Sequence, residues 1–174
     1  MIMALSEYSG TALASYVRAV RRAIEAAGCD SGAMLRKAGL EPTLLEDPEA
    51  RCSMVKLHKL WQCALETTRD EAFGLRVASY FSQTTFHALS YSLSASATLK
   101  EAFDRVVRYC HVGSDAINYE FCRHGDEYHL RIEPVRSAPL SVELVDCQVA
   151  GLIRMCRSLL GYGYSPVRIE LMRA

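Results

Sequence analysis

Cys122, His124 and His129 are the residues whose types and spacing come nearest to a metal site in this chain. Thiolate and imidazole are the usual zinc ligands, and these three flank one short loop. Cys110 and His111 add an adjacent pair. Structural zinc sites announce themselves by C-x2–4-C pairs, and none of the seven cysteines (29, 52, 63, 110, 122, 147 and 156) has such a neighbour. The reading is buried thiols and surface histidines, with no metal and no cofactor expected. Covalent catalysis needs a serine or cysteine beside a base that a third group orients. Ser90, Ser92, Ser94 and Ser96 alternate, but no GxSxG, SxxK or HExxH occurs, so no enzyme is expected. The acidic pairs Glu46-Asp47, Asp70-Glu71 and Asp126-Glu127 fall in expected loops and helix starts, where carboxylates suit the helix dipole.

What remains is binding chemistry. Trp61, His87, Tyr91, Tyr109, His111 and Tyr119 combine apolar bodies with polar tips, the usual lining of a small-molecule pocket. Phe81, Phe86 and Tyr128 fall in the same region, between helices and a hairpin.

Periodicity says which elements would carry these side chains. Apolar positions 13, 16, 17, 20, 24 and 27 repeat at helical spacing and stop at Gly28. Asp30-Ser31 can cap a short helix through Met34 and Leu35 that Gly39 ends. Ser53 can cap a longer one with Met54, Leu57, Trp61, Ala64 and Leu65 on one stripe. Helices are also expected over 71–81 and 86–93. Thr98-Leu99-Lys100-Glu101 is a capping box, opening a helix with Leu99, Phe103, Val106 and Cys110 inward. From Ala116 the period changes from 3.6 to 2. Ile117, Tyr119 and Phe121, then Tyr128, Leu130 and Ile132, form the apolar face of a hairpin around Gly125. Pro139 opens the longest expected helix, to Leu160, with Leu144, Val145, Val149, Leu152, Cys156, Leu159 and Leu160 inward. Val167, Ile169 and Leu171 alternate as a third strand. The fold class is α+β: a helix-rich single domain, 1–174, with a small antiparallel sheet, truncated at its C-terminus.

Apolar residues make up 50% of the 174 residues and charged ones 23%, an ordinary globular balance. Lys plus Arg and Asp plus Glu both total 20, so the chain lacks the basic excess of a DNA-gripping module. No stretch approaches the roughly 18–20 apolar residues of a membrane span, and the N-terminus carries no signal peptide. With an odd number of unpaired cysteines, a reducing cytoplasm and no membrane partner are expected.

The run from Gly39 to Phe121 carries a resemblance. Gly39-Leu40-Glu41-Pro42-Thr43-Leu44-Leu45-Glu46-Asp47-Pro48 is followed by Leu60-Trp61, Asp70-Glu71-Ala72-Phe73-Gly74-Leu75-Arg76 and Ser94-Ala95-Ser96-Ala97-Thr98-Leu99-Lys100-Glu101-Ala102. Arg108-Tyr109 and Ser114-Asp115 complete the series. It resembles the N-terminal effector-binding, "arabinose-binding"-type domain of AraC/XylS-type bacterial transcription regulators. Where that family commonly has Ser-Pro-Thr-Leu, this chain has Ser96-Ala97-Thr98-Leu99, which keeps the capping threonine. The resemblance implies a small-molecule effector, a second copy of the chain as partner, and DNA contact only through a C-terminal helix-turn-helix domain absent from these residues. The alternative is a ligand-free interaction or dimerisation module.

Overall fold

In the computed structural model, which describes residues 10–47, 49–82, 85, 88–135 and 141–171 (88 by its backbone alone), the apolar stripes close into two clusters joined by one long helix. The first is built by α1 (Ala14–Ala26), α2 (Ser31–Ala38), α3 (Met54–Thr68) and α4 (Phe73–Ser79). Val17, Val20 and Ile24 of α1 meet Leu35, Leu60, Phe73 and Val77, all but removed from water. The Asp30 carboxylate caps α2 by accepting the Ala33 amide at 2.9 Å, and Gly39, at φ 72°, ends it in the left-handed conformation that glycine adopts without strain. Ser53 caps α3 by accepting from the Val55 amide at 3.2 Å. The helix expected over 71–81 is confined to α4, with Phe73, Val77 and Ala78 inward.

Two three-residue strands escape periodicity. β1 (Thr11–Leu13) pairs antiparallel with β2 (Arg51–Ser53), Ala12 opposite Cys52. A further bridge joins Ala12 to Ser114. Polar groups lock this junction. Arg51 Nε donates to the Thr11 hydroxyl at 2.7 Å and its Nη1 to the Val112 carbonyl at 2.9 Å. The Thr11 hydroxyl in turn donates to Asp115 at 2.9 Å, and the Thr11 amide donates to the same carboxylate.

Burial works to raise the Asp115 carboxyl, but the Thr11 amide and hydroxyl, helped by Arg51, hold it below its usual range. A carboxylate held low in the fold stabilises above its ordinary pKa, and that stabilisation fades as pH falls through the folded value. Asp115→Asn is expected to cost about 1 kcal/mol at neutral pH, the low end for a charged network that water still reaches. The difference from the parent should begin to shrink below about pH 4 and vanish only under the folded-state value, so that it is smaller at about pH 3 than at about pH 7. Urea unfolding at both pH values checks this; equal costs at both would remove the carboxylate from the account.

The second cluster gathers α5 (Ala88–Ser94), α6 (Leu99–Gly113), the hairpin β3 (Ile117–His124) and β4 (Glu127–Pro134), and the far half of α7 (Val142–Leu160). Thr98 caps α6 by accepting the Glu101 amide at 3.1 Å. Glu101 reciprocates on the Ala97 amide at 2.9 Å, one residue before the position a strict capping box uses. The hairpin pairs Ile117 with Pro134 through to His124 with Glu127, so Tyr119, Phe121, Leu130 and Ile132 share a face. That face rests on α6, with the Phe103 and Phe121 ring centroids 5.1 Å apart.

Among the described residues the architecture is seven helices and two two-stranded antiparallel sheets, a helix-rich α+β domain. Three expectations change. No strand forms over 167–171: Val167 is 92% and Ile169 49% exposed, so the alternation has neither a buried face nor a neighbouring strand. Pro139 lies outside the described residues, and α7 opens at Val142 with Ser141 as its cap, accepting the Leu144 amide. Leu160 points to water, while Cys147, Gln148 and Gly151 join Leu144 and Cys156 on the buried face of α7.

Candidate functional site: a cavity between the two cores

Packing is incomplete where the two clusters meet. Tyr16 of α1, Leu89 and Leu93 of α5, and Val106 and Cys110 of α6 surround a cavity of about 40 Å³. Ile117 and Tyr119 of β3 and Gln148, Gly151, Leu152 and Met155 of α7 complete the wall, with Gly113 and Ser114 at the end of α6. A single buried water needs only about 10–15 Å³, so the space holds more than one.

The polar groups in this wall are few and uncharged. The Tyr16 hydroxyl and the Gln148 carboxamide face each other at 3.5 Å, and the Tyr16 ring meets Phe81 edge-on at 5.5 Å. Gly151 makes room behind them, since a Cβ there would come within 2.7 Å of the Phe81 ring. The Tyr119 hydroxyl is buried, and no hydrogen-bond partner for it exists among the described residues. Burial, with the Cys110 and Cys147 thiols close by, holds this phenol well above its usual pKa. Burial does the same for Tyr16, aided by Tyr119 and opposed by the Gln148 hydrogen bond. The Cys110 and Cys147 thiols are likewise pushed up by burial. The described residues of the wall are therefore neutral at physiological pH.

α5 supplies the wall's outer panel. Arg105 of α6 clamps it, donating from Nη1 to the Ser92 carbonyl at 3.0 Å and the Ser92 hydroxyl at 3.1 Å. The other guanidinium arm is held by Glu101 at 2.6 Å.

Of the six side chains singled out in the sequence, Tyr119 lines the cavity. Trp61 is buried in the first cluster, edge-on to Phe73 at 5.5 Å, and does not reach the wall. Tyr91, Tyr109 and His111 turn outward, Tyr91 being 62% exposed. His87 lies outside the described residues. Sequence reasoning passed over Tyr16 and Gln148. A glutamine within the apolar stripe of Leu144, Cys147 and Gly151 was the available signal, because a polar side chain on a buried face needs a partner or a ligand.

The hairpin brings the His124 and His129 rings into a stack at 4.6 Å, with Cys122 opposite His129 in the ladder and Glu127 3.4 Å from His129 Nε2. Among the described residues no three His, Cys, Asp or Glu side chains converge as a metal requires. A second hollow of about 190 Å³ lies between Gly39 and Lys56. It is the larger of the two, but exposed Glu41, Arg51 and Lys56 form much of its rim and Arg51 is committed to Thr11 and Val112, so it is a surface groove.

Against known families, the N-terminal arabinose-binding domain of AraC transcription regulators matches residues 28–174. The chain belongs to that family. No curated relative matches it at a significant level. Membership in the AraC family makes this a ligand-sensing regulatory domain of the transcription-regulation machinery, a family of binding domains and not of enzymes. Among the described residues no helix is long and apolar enough to cross a membrane. Both walls of the cavity, α5 and α6 on one side and α7 on the other, fall within the matched span; of the lining residues only Tyr16 precedes it.

Proposed function

We propose that this domain senses a small-molecule effector in the cavity between the two cores, and that occupancy controls a DNA-binding domain outside these residues and the pairing of two copies. The observation that carries the reading is the desolvated hydroxyl of Tyr119, a residue that lines the cavity and whose hydroxyl has no hydrogen-bond partner among the described residues. Native interiors seldom leave such a group unmatched, and a ligand oxygen would satisfy it. The cavity is small beside the ~150 Å³ that admits benzene, so an effector of ring size must push α5 and α7 apart. That supplies the mechanism: the effector binds the widened arrangement better, and only such differential affinity shifts an equilibrium.

A thermal-shift screen over amino acids, aromatic acids, sugars, alcohols and phenols tests the reading. A ligand at 100 times its Kd adds about 2.7 kcal/mol, which raises Tm by roughly 5–10 °C for a domain of this size. No stabilising compound across these classes would favour the second reading, a ligand-free interaction module. The exposed Tyr91 and Tyr109 side chains on α5 and α6 are what favour that reading.

A further inference from the structure

We infer that the cavity takes a neutral, predominantly apolar molecule carrying one hydrogen-bonding oxygen, of the class of a phenol, cyclic alcohol or ketone, and that it rejects both carboxylates and sugars. This rests on the reading of the cavity as the effector site and narrows it to a ligand chemistry.

The argument is an inventory of what a ligand would meet. Leu89, Leu93, Val106, Ile117, Leu152 and Met155 offer only hydrocarbon and thioether. No Arg, Lys, Asp or Glu among the described residues lines the space, so a carboxylate would enter without a counter-charge and a cation without an acid. A pentose brings several hydroxyls, each of which needs a partner once buried. The wall cannot match that number. Ser114 Oγ is spent on the Thr11 carbonyl and the Ala116 amide, both at 3.2 Å. The Tyr16 hydroxyl and Gln148 carboxamide face each other. Among the described residues of the wall, Tyr119 alone has its hydroxyl uncommitted, and one phenol O–H matches one ligand oxygen. The family's description as arabinose-binding therefore does not extend to this chain's cavity.

Phenol, cyclohexanol, benzoate and L-arabinose, at equal concentration, are the probes. The readout is Tm and the Kd fitted from its concentration dependence, on the chain, on Tyr119→Phe and on the cavity-filling Val106→Met. Phenol and cyclohexanol are expected to stabilise the chain, with benzoate and L-arabinose inert. Tyr119→Phe keeps the ring and removes only the uncommitted hydroxyl, so it should fold and bind phenol about 2- to 10-fold more weakly. Benzoate or L-arabinose stabilising more than phenol, with the effect lost in Val106→Met, overturns the ligand class and leaves the cavity as the effector site. A shift that survives unchanged in Val106→Met places the ligand elsewhere and overturns both readings. No shift with phenol or cyclohexanol also overturns the class, whatever the wider screen finds.

Discussion

Gly74→Ala is expected to destabilise the domain by about 3 kcal/mol or more, lowering Tm by roughly 6–12 °C. A Cβ at Gly74 would strike the Glu143 carbonyl oxygen and stand 2.9 Å from its carbon and 3.1 Å from the Glu143 Cα. All three are backbone atoms of α7, which cannot swing aside as a side-chain tip does. Relief requires α4 and α7 to part along their contact, opening the seam between Phe73, Val77, Leu144 and Cys147 to loss of close packing. The same displacement moves Gln148, Gly151 and Leu152, so ligand response should fall along with stability. Gly163→Ala is the control: nothing lies within 4 Å of a Cβ there, and the cost should stay within about 0.5 kcal/mol. Urea unfolding of both variants measures the difference; equal stabilities would mean that α4 and α7 are not packed backbone to backbone.

Most of this frame was legible in the sequence. The stripes of α1, α3 and α6, the caps Asp30, Ser53 and Thr98, and the hairpin around Gly125 follow from local periods and local hydrogen bonds. β1 and β2 were not, because three residues are too few to show an alternation and their pairing is set by Arg51, Thr11 and Asp115 from distant parts of the chain. Val167 and Ile169 show the converse: an alternating run makes a strand only where a neighbour takes its hydrogen bonds. The cavity was illegible for a related reason. It is a mismatch between two clusters, and no single element records it. Aromatic type does not separate core from pocket from surface: Trp61 shares its stripe with Leu57 and Ala64, which already marks it as core. Tyr109 and His111 sit off the Phe103, Val106 and Cys110 face of α6, so helical geometry alone turns them outward.

Val106→Met is expected to raise stability while abolishing ligand response. Val106 is 4% exposed and lines the cavity from α6. A methionine there is longer, unbranched and able to follow an irregular space. Methionine adds about one heavy atom to valine, so it fills part of the 40 Å³ and recovers about 0.5 kcal/mol at the usual cost per unit of cavity volume, roughly 1–2 °C in Tm. Exchanging a β-branched residue for an unbranched one inside a helix adds a few tenths of a kcal/mol in the same direction. A binding site whose void carries function should show this opposition between stability and response. A merely imperfect core would gain stability and lose nothing.

The comparison that bears most directly on the central claim is the ligand-induced rise in Tm of Val106→Met against that of the parent chain, using the most stabilising compound of the screen. The cavity account predicts a higher unliganded Tm for Val106→Met and a ligand-induced rise near zero where the parent rises by roughly 5–10 °C. An undiminished rise in Val106→Met, from the same or a higher starting Tm, would contradict it: the ligand would then bind outside the seam between the two cores.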